Sequence, residues 1–365
     1  MKQQSSISIY DNTKHAWDAM FLAISQAKKS IYWEVYMFVD DVVGTRFFDV
    51  LKQKVKEGVD VKLIVDFWGS FSLSQKSIEN LRNAGIDILL FRQKKFSLSH
   101  FRAWWMDRTH RKVLIIDEHI GFIGGVNIQK DMGHWQDIHI RLRGKVVRSL
   151  LRSFARTYMM CGGDKKQVKH LLKYKYRVEH SGIDFVYDHY GRKKFGARDW
   201  YIQAFKKARE RVVLFSPYYF PDKQLLRAMW DARKRGVRID LVIPFRSDLR
   251  LVTYAAYAWF SLLHTKGVQI HLMKKNMMHG KGVIVDDEWA MVGSSNVEHG
   301  SLYHNQEANI RFRDKRMVKK LKRILDRWIL DADLFDAPRW GRRGRWQRIK
   351  EFFSHAMYKF WFKVK

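Results

Sequence analysis

The chain reads as α/β: two tandem α/β/α sandwich domains with mixed central sheets, related by a pseudo-twofold axis and sharing an active site at their interface. Two observations carry that reading. Helical stretches alternate with short buried-strand runs, which calls for layers of helix around a sheet. The whole pattern then occurs twice, and its most distinctive piece, HxKxxxxD, recurs as His110, Lys112 and Asp117 and as His279, Lys281 and Asp286. Each copy continues into a glycine turn closing on Asn, Gly124-Gly125-Val126-Asn127 in the first half and Gly293-Ser294-Ser295-Asn296 in the second.

Taken in order, the elements of the first half find partners in the second. The helix end and strand of 27–38 resemble 208–220, and 56–67 matches 234–245 almost position for position. Gly58 and Gly236 close the helices of that second pair, in the place where a left-handed residue ends a helix. The strand start at 84–88 matches 266–270, and 137–144 matches 307–314. Each half therefore reads strand, helix, strand, helix, strand, motif strand, hairpin, strand. The expected divisions are a first domain over 1–162, a linker over 163–198 marked by Gly162, Gly163, Gly191 and a Lys-rich run, a second domain over 199–332, and a basic aromatic tail over 333–365.

The motif spacing has a geometric meaning. His110 and Lys112 lie two residues apart in an apolar, β-branched run, so on a strand they share a face, and His279 and Lys281 repeat this. Asp117 and Asp286 fall an odd number of residues from their His, at a turn, and are expected to be structural. Two imidazoles and two ammonium groups supplied by equivalent halves suit in-line displacement at a phosphodiester, with one His attacking phosphorus and the other protonating the departing oxygen. Neither half holds a complete reactive set, which places the active site between them.

These duplicated motifs, with their GGxN and GSxN continuations, resemble the phospholipase D superfamily. Further stretches, among them 36–40, 66–70, 109–117, Trp135-Gln136-Asp137 and 217–221, resemble more closely its bacterial cardiolipin synthase branch, of the B type without an N-terminal transmembrane anchor. The likeness spans about residues 7 to 330. It implies phospholipase-D-like domains and a phosphohistidine on His110 or His279, with the other imidazole acting as acid and then base. His110 is favoured as nucleophile because the N-terminal motif often supplies it. Lys112, Lys281, Asn127 and Asn296 would hold the non-bridging phosphate oxygens, and Asp137 and Glu307 would each orient an imidazole through Nδ1. The resemblance implies no metal and no cofactor, and His119, His134, His139, His299 and His304 are expected in loop or supporting positions. Two departures bear on acceptor choice: Gln136 stands where relatives commonly have His, and 181–187 lacks an expected proline. The individual stretch 97–106 could overhang the site mouth or pack on its own domain.

Composition narrows the substrate. Lys and Arg number 69 against 37 Asp and Glu, a formal charge of +32, and such a field draws either nucleic acid or an anionic bilayer. With 15% aromatic residues and a tail mixing aromatics with cations, the bilayer is preferred. On a helix, Trp346, Ile349, Phe353, Met357, Phe360 and Val364 form one stripe, with Trp361 beside it, as in a helix lying in a membrane surface; packing on its own domain is the alternative. The N-terminal residues have no signal-peptide core, and the single Cys161 suits a reducing compartment. The resulting expectation is a peripheral protein on the cytoplasmic face of the bacterial inner membrane, partnered by an anionic phospholipid bilayer, with no obligate protein partner. It would transfer a phosphatidyl group from one phosphatidylglycerol to the hydroxyl of a second phospholipid, taken as phosphatidylglycerol, releasing glycerol; phosphatidylethanolamine or another alcohol is the other acceptor left open. The alternatives are a hydrolytic phospholipase D and a nuclease acting on nucleic acid phosphodiesters.

Overall fold

A computed structural model describes residues 7–92, 107–175, 182–188 and 196–362. The first half runs β1 (Ser8–Tyr10), α1 (Thr13–Ser25), β2 (Ser30–Val35), α2 (Val42–Lys56), β3 (Asp60–Asp66), α3 (Gln75–Asn83), β4 (Asp87–Phe91), β5 (Lys112–Ile116), β6 (Ile120–Gly124) and β7 (His139–Arg143). Its seven strands are ordered β1-β7-β6-β5-β2-β3-β4, with β2, β3 and β4 parallel and the rest antiparallel. The helices start where short polar side chains take up orphan N–H groups: Asn12 accepts from Lys14 N, Asp41 from Val43 N and Gly44 N, and Ser74 from Ser77 N.

The second half repeats this plan with β8 (Ile183–Asp188), β9 (Arg211–Phe215), β10 (Arg238–Pro244), β11 (Gln269–Met273), β12 (Gly282–Val285), β13 (Trp289–Gly293) and β14 (Glu307–Phe312). The order is β15-β11-β10-β9-β12-β13-β14-β8, the same succession with one strand added at the edge, β15 (Asp333–Leu334). Two of these strands revise the expected divisions. β8 lies inside the segment read as linker, where it pairs with β14 as β1 pairs with β7. β15 lies in the expected tail and pairs with β11. Both are edge strands, and an edge strand needs little periodicity of its own to be held.

Three cores follow from the layering. One lies between the first sheet and α1 to α3, including Trp33, Phe47, Leu63 and Leu114. A second lies between the other sheet and the helices Ala197–Lys207, Lys223–Lys234 and Arg250–Thr265. The third joins the halves: Ile115, Ile123 and Ile140 of the first sheet share it with Val213, Ile284 and Ile310 of the second, together with Phe154 and Trp328 from the helices Val147–Met160 and Lys315–Asp331. Burial on this scale at the seam fixes the relative position of the two motif strands. Among the described residues, no helix is long and apolar enough to cross a membrane.

Candidate active site

The two halves exchange backbone at the site. Thr109, the residue before His110, forms a parallel bridge with Gln306, the residue before Glu307; Met278, before His279, does the same with Gln136, before Asp137. The His110 amide donates to the Gln306 carbonyl at 2.9 Å, and the His279 amide to the Gln136 carbonyl at 2.7 Å. This register brings each imidazole against the carboxylate of the opposite half. His110 Nδ1 lies 3.0 and 3.1 Å from the Glu307 oxygens, and His279 Nδ1 lies 2.7 Å from Asp137 Oδ2. All four side chains are buried. The motif spacing does not disclose that the pairs cross, since each half taken alone could have closed on itself.

The glycine turns are shaped to these carboxylates. A Cβ on Gly125 would stand 2.1 Å from Asp137 Oδ1, so the first turn must carry Gly where the carboxylate lies against the backbone. The equivalent residue of the second turn is Ser294, whose hydroxyl donates to Glu307 Oε2 and accepts from Ala308 N at 2.9 Å. GGxN and GSxN are thus two local answers to two different acids.

Supporting contacts hold the approach to His110. Arg108 makes a bidentate pair with Asp66, through Nε at 3.0 Å and Nη2 at 2.9 Å to Oδ1, and Asp66 Oδ2 also accepts from Thr109 N at 3.0 Å. Arg111 reaches into the second half, donating from Nη2 to the Asp188 carbonyl at 2.7 Å and from Nε to the Glu307 carbonyl at 3.2 Å. Asp117 accepts from the amides of Lys28, Lys29 and Ser30, and Asp286 from those of Arg209, Glu210 and Arg211. Each aspartate clamps a turn to the start of the neighbouring strand, apart from the cavity.

His110, His279, Asn127 and Asn296 all line one cavity of about 580 Å³. Both asparagine Oδ1 atoms are buried without a hydrogen-bond partner, so the amides face the cavity with unmet capacity. Lys112 donates to the His110 carbonyl at 2.7 Å, and Lys281 Nζ sits 2.7 and 2.9 Å from the ring nitrogens of His279. Tyr36 stands edge-on to His110 at 4.9 Å and Tyr218 edge-on to His279 at 6.4 Å. Sequence reasoning did not single out these tyrosines as site residues, and the repeat gave no pointer, since the strand register sets Tyr36 against Pro217 and Tyr218 against Met37.

Burial and clustered cations set the charge states. Burial, then Lys112, Lys281 and His279, hold the His110 imidazole well below its ordinary range. Burial and Lys281 lower His279 as well, against the opposing pull of Asp137. Lys112 is pushed well down by burial and Lys281, and Lys281 is pushed down by burial to about 8. The acids diverge. Burial lifts Glu307 to about 7 despite Lys112, whereas at Asp137 the attraction of Lys281 and His279 outweighs burial and keeps the carboxyl below its usual range. The arrangement sets two imidazoles and two amides on one cavity, with the two lysines buried against the imidazole residues, and suits a tetrahedral anion. Among the described residues, no group of three or more His, Cys, Asp or Glu side chains converges as a metal site requires.

The C-terminal helix (Arg345–Phe362) resolves the two expectations for the tail in an unforeseen way. It packs against the Arg250–Thr265 helix through the side bearing Glu351 and Tyr358. Glu351 is paired with Arg343, and Tyr358 stacks on Phe220 at 4.1 Å and donates to Glu298 at 2.7 Å. The apolar stripe faces outward instead: Trp346 is 77% exposed, Phe353 66% and Phe360 86%, with Ile349 and Phe352 also exposed. Met357 and Trp361, expected at a membrane, also line the cavity. The polar partners Glu298 and Arg343 make this possible, and a hydrophobic stripe alone gives no sign of them. Val364 and the stretch 97–106 lie outside the described residues.

A family model described as cardiolipin synthase, PLD-like domain, matches residues 20–160 and 201–329. The chain is 28% identical over 358 residues to the probable cardiolipin synthase YwiE of Bacillus subtilis, covering 96% of this chain and 71% of that one. It is 31% identical over 357 residues to cardiolipin synthase 2 of Bacillus anthracis, covering 95% and 69%. With the minor cardiolipin synthase ClsB of Bacillus subtilis it shares 26% over 370 residues, covering 98% and 89%. Among solved structures, the phosphatidylserine synthase of Haemophilus influenzae superposes with a TM-score of 0.76 at 13% identity, covering 100% of this chain and 96% of that one, a likeness of fold.

Proposed function

The chain belongs to the family of cardiolipin synthases with PLD-like domains, and from that premise we propose that it transfers a phosphatidyl group between phospholipids at an anionic membrane surface. His110 Nε2 attacks the phosphorus of phosphatidylglycerol while His279 gives its proton to the departing glycerol oxygen, leaving phosphatidyl-His110. The hydroxyl of a second phospholipid, taken as phosphatidylglycerol, then attacks that phosphorus and returns a proton to His279, so cardiolipin forms and His110 is freed. His110 is assigned the attack because three neighbouring cationic groups and burial keep it neutral. His279, with an ionised carboxylate on Nδ1, is the better proton carrier. Lys112, Lys281, Asn127 and Asn296 hold the non-bridging oxygens, and Asp137 and Glu307 position the imidazoles.

The observation that carries this reading is the crossed pair of imidazole–carboxylate contacts around one cavity. The outward stripe of Trp346, Ile349, Phe353, Met357, Phe360 and Trp361, beside the mouth of that cavity, favours lipid over nucleic acid and a peripheral seat on the cytoplasmic leaflet of the bacterial inner membrane. The test incubates wild type, His110→Ala and His279→Ala with phosphatidylglycerol vesicles and, separately, with single-stranded DNA. Glycerol release with a new dianionic lipid, lost in both variants, is the expected result. Phosphatidic acid alone would mean hydrolysis, and cleaved DNA alone would overturn the lipid assignment.

A further inference from the structure

A cavity built for a phosphodiester should avoid free negative charge, yet one carboxylate with spare hydrogen-bonding capacity lines it. Of the two acids on its wall, Glu298 is committed, accepting from Gly300 N, Ser301 N and Tyr358 Oη. Asp248 instead accepts only one donor among the bonds described, the Tyr218 hydroxyl, at 2.8 and 3.0 Å to its two oxygens. It is close enough to the reacting groups to pull on the charges of His279 and Lys281. Its anchor Tyr218 is the residue that stands edge-on to His279. The asymmetry is plain among the described residues: the wall around His110 carries Tyr36, Trp68 and an Arg108 held by Asp66, with no free acid.

We infer that Asp248, held by Tyr218, is a subsite for the vicinal diol of a glycerol headgroup. This rests on the transfer reading above, in which His279 protonates the leaving oxygen; the leaving headgroup then lies on the His279 side, where Asp248 is. A carboxylate accepts two O–H donors side by side, and the C2 and C3 hydroxyls of a glycerol headgroup present two donors on adjacent carbons. An ammonium headgroup fits less well, because Arg250 lines the same wall and Lys281 lies behind it. By microscopic reversibility the acceptor headgroup enters where the first glycerol left, its attacking hydroxyl in place of the departed oxygen, so Asp248 there takes the remaining C2 hydroxyl alone. The negative charge near phosphate, costly for binding a bare anion, is thereby used to select what the phosphate carries.

The experiment compares donor lipids in otherwise neutral vesicles, with ethanol in the buffer as a common acceptor: phosphatidylglycerol against phosphatidylpropanol, whose headgroup has no hydroxyl. The quantity read is the ratio of kcat/KM values for wild type, Asp248→Asn and Tyr218→Phe, with thermal unfolding checked for each. We expect the preference for the glycerol lipid to fall about tenfold in Asp248→Asn and less, in the same direction, in Tyr218→Phe. An unchanged ratio, including equal losses on both lipids, overturns the subsite. So does a loss confined to transfer onto phosphatidylethanolamine, which would mark an amine site. Wild type turning over neither lipid would defeat the transfer reading itself, a result distinct from an active enzyme whose ratio does not move.

Discussion

Asp137→Asn is the sharpest probe of the crossed pairs. Asp137 Oδ2 takes the Nδ1 proton of His279 at 2.7 Å with both groups buried, and the carboxyl is ionised at neutral pH because Lys281 and His279 outweigh its burial. Asparagine keeps the shape, so it fits where Gly125 leaves room. It loses the charge on the bond, a term worth about 1.5–3 kcal/mol or roughly 10- to 150-fold in rate. An amide turned to donate also forces the proton onto Nε2, the edge that must alternate between acid and base, and a reversed tautomer of this kind raises the loss toward about 10⁴-fold. We therefore expect kcat to fall by about 10² to 10⁴ in phosphatidylglycerol vesicles, with the unfolding midpoint little changed. Because Asp137 supports the protonated form of His279, its loss should also move the alkaline limb of the rate profile to lower pH. Glu307→Gln should behave differently. Glu307 sits at about 7, so about one tenth of it is ionised at pH 6, and the defect of the glutamine variant should shrink as pH falls from 8 to 6. An Asp137→Asn enzyme within threefold of wild type, or a Glu307→Gln defect that does not vary with pH, would refute the assignment of these acids.

Three further outcomes follow from the structure. Replacing Phe352, Phe353 and Phe360 by Ser should weaken binding to anionic vesicles at least about 100-fold, since each inserted ring is worth about 1.5–3 kcal/mol, without lowering the unfolding midpoint. Tyr358→Phe should do the reverse, costing about 1–3 kcal/mol of stability through the bond lost at Glu298 while vesicle affinity by co-sedimentation stays the same. The third outcome concerns His139, which is buried with neither ring nitrogen hydrogen-bonded and is held by burial at about 4. A histidine depressed in the fold adds stability above the ordinary value near 6.5, and that contribution is lost as pH falls through about 4, a span worth roughly 3 kcal/mol. In His139→Phe the drop in unfolding midpoint between pH 7 and pH 4 should be smaller than in wild type; an equal drop would show that His139 does not govern it.

The duplication, the mixed sheets and the residues around the cavity were legible because each is written locally. Strand periodicity places His110 with Lys112, and a glycine turn followed by Asn carries its own signature. The edge strands β1, β8 and β15 were not, since they are held by their neighbours' open hydrogen bonds rather than by any pattern of their own. The crossing of Glu307 to His110 and Asp137 to His279 was hidden for another reason: it depends on two bridges between segments nearly 200 and more than 140 residues apart, with His110 197 residues from Glu307 and His279 142 from Asp137. The docked edge of the tail was hidden as well, because an amphipathic stripe gives no sign of which polar residues find buried partners. Here Glu351 and Tyr358 have buried partners in Arg343 and Glu298, so the polar edge is the one that docks.

Exchange of carboxylates also explains why a duplicated protein keeps two unlike copies of its motif. If each half paired its own acid with its own imidazole, either could fold into a charged site alone. Here an isolated half would leave an imidazole without its acceptor and an acid without its donor, and both bonds form only as the seam closes. Association of the halves is thus tied to completion of the site, and once the seam is closed the two pairs need not remain equivalent. Gly125 lets Asp137 rest against backbone beside Lys281, which keeps it ionised, whereas Ser294 donates to a Glu307 whose burial lifts it to about 7. One imidazole is consequently backed by a fixed charge and the other by an acid that titrates near neutrality. A reaction that asks one imidazole to carry a proton and the other to carry phosphorus needs that inequality, and the cations beside Asp137 set against the burial of Glu307 supply it.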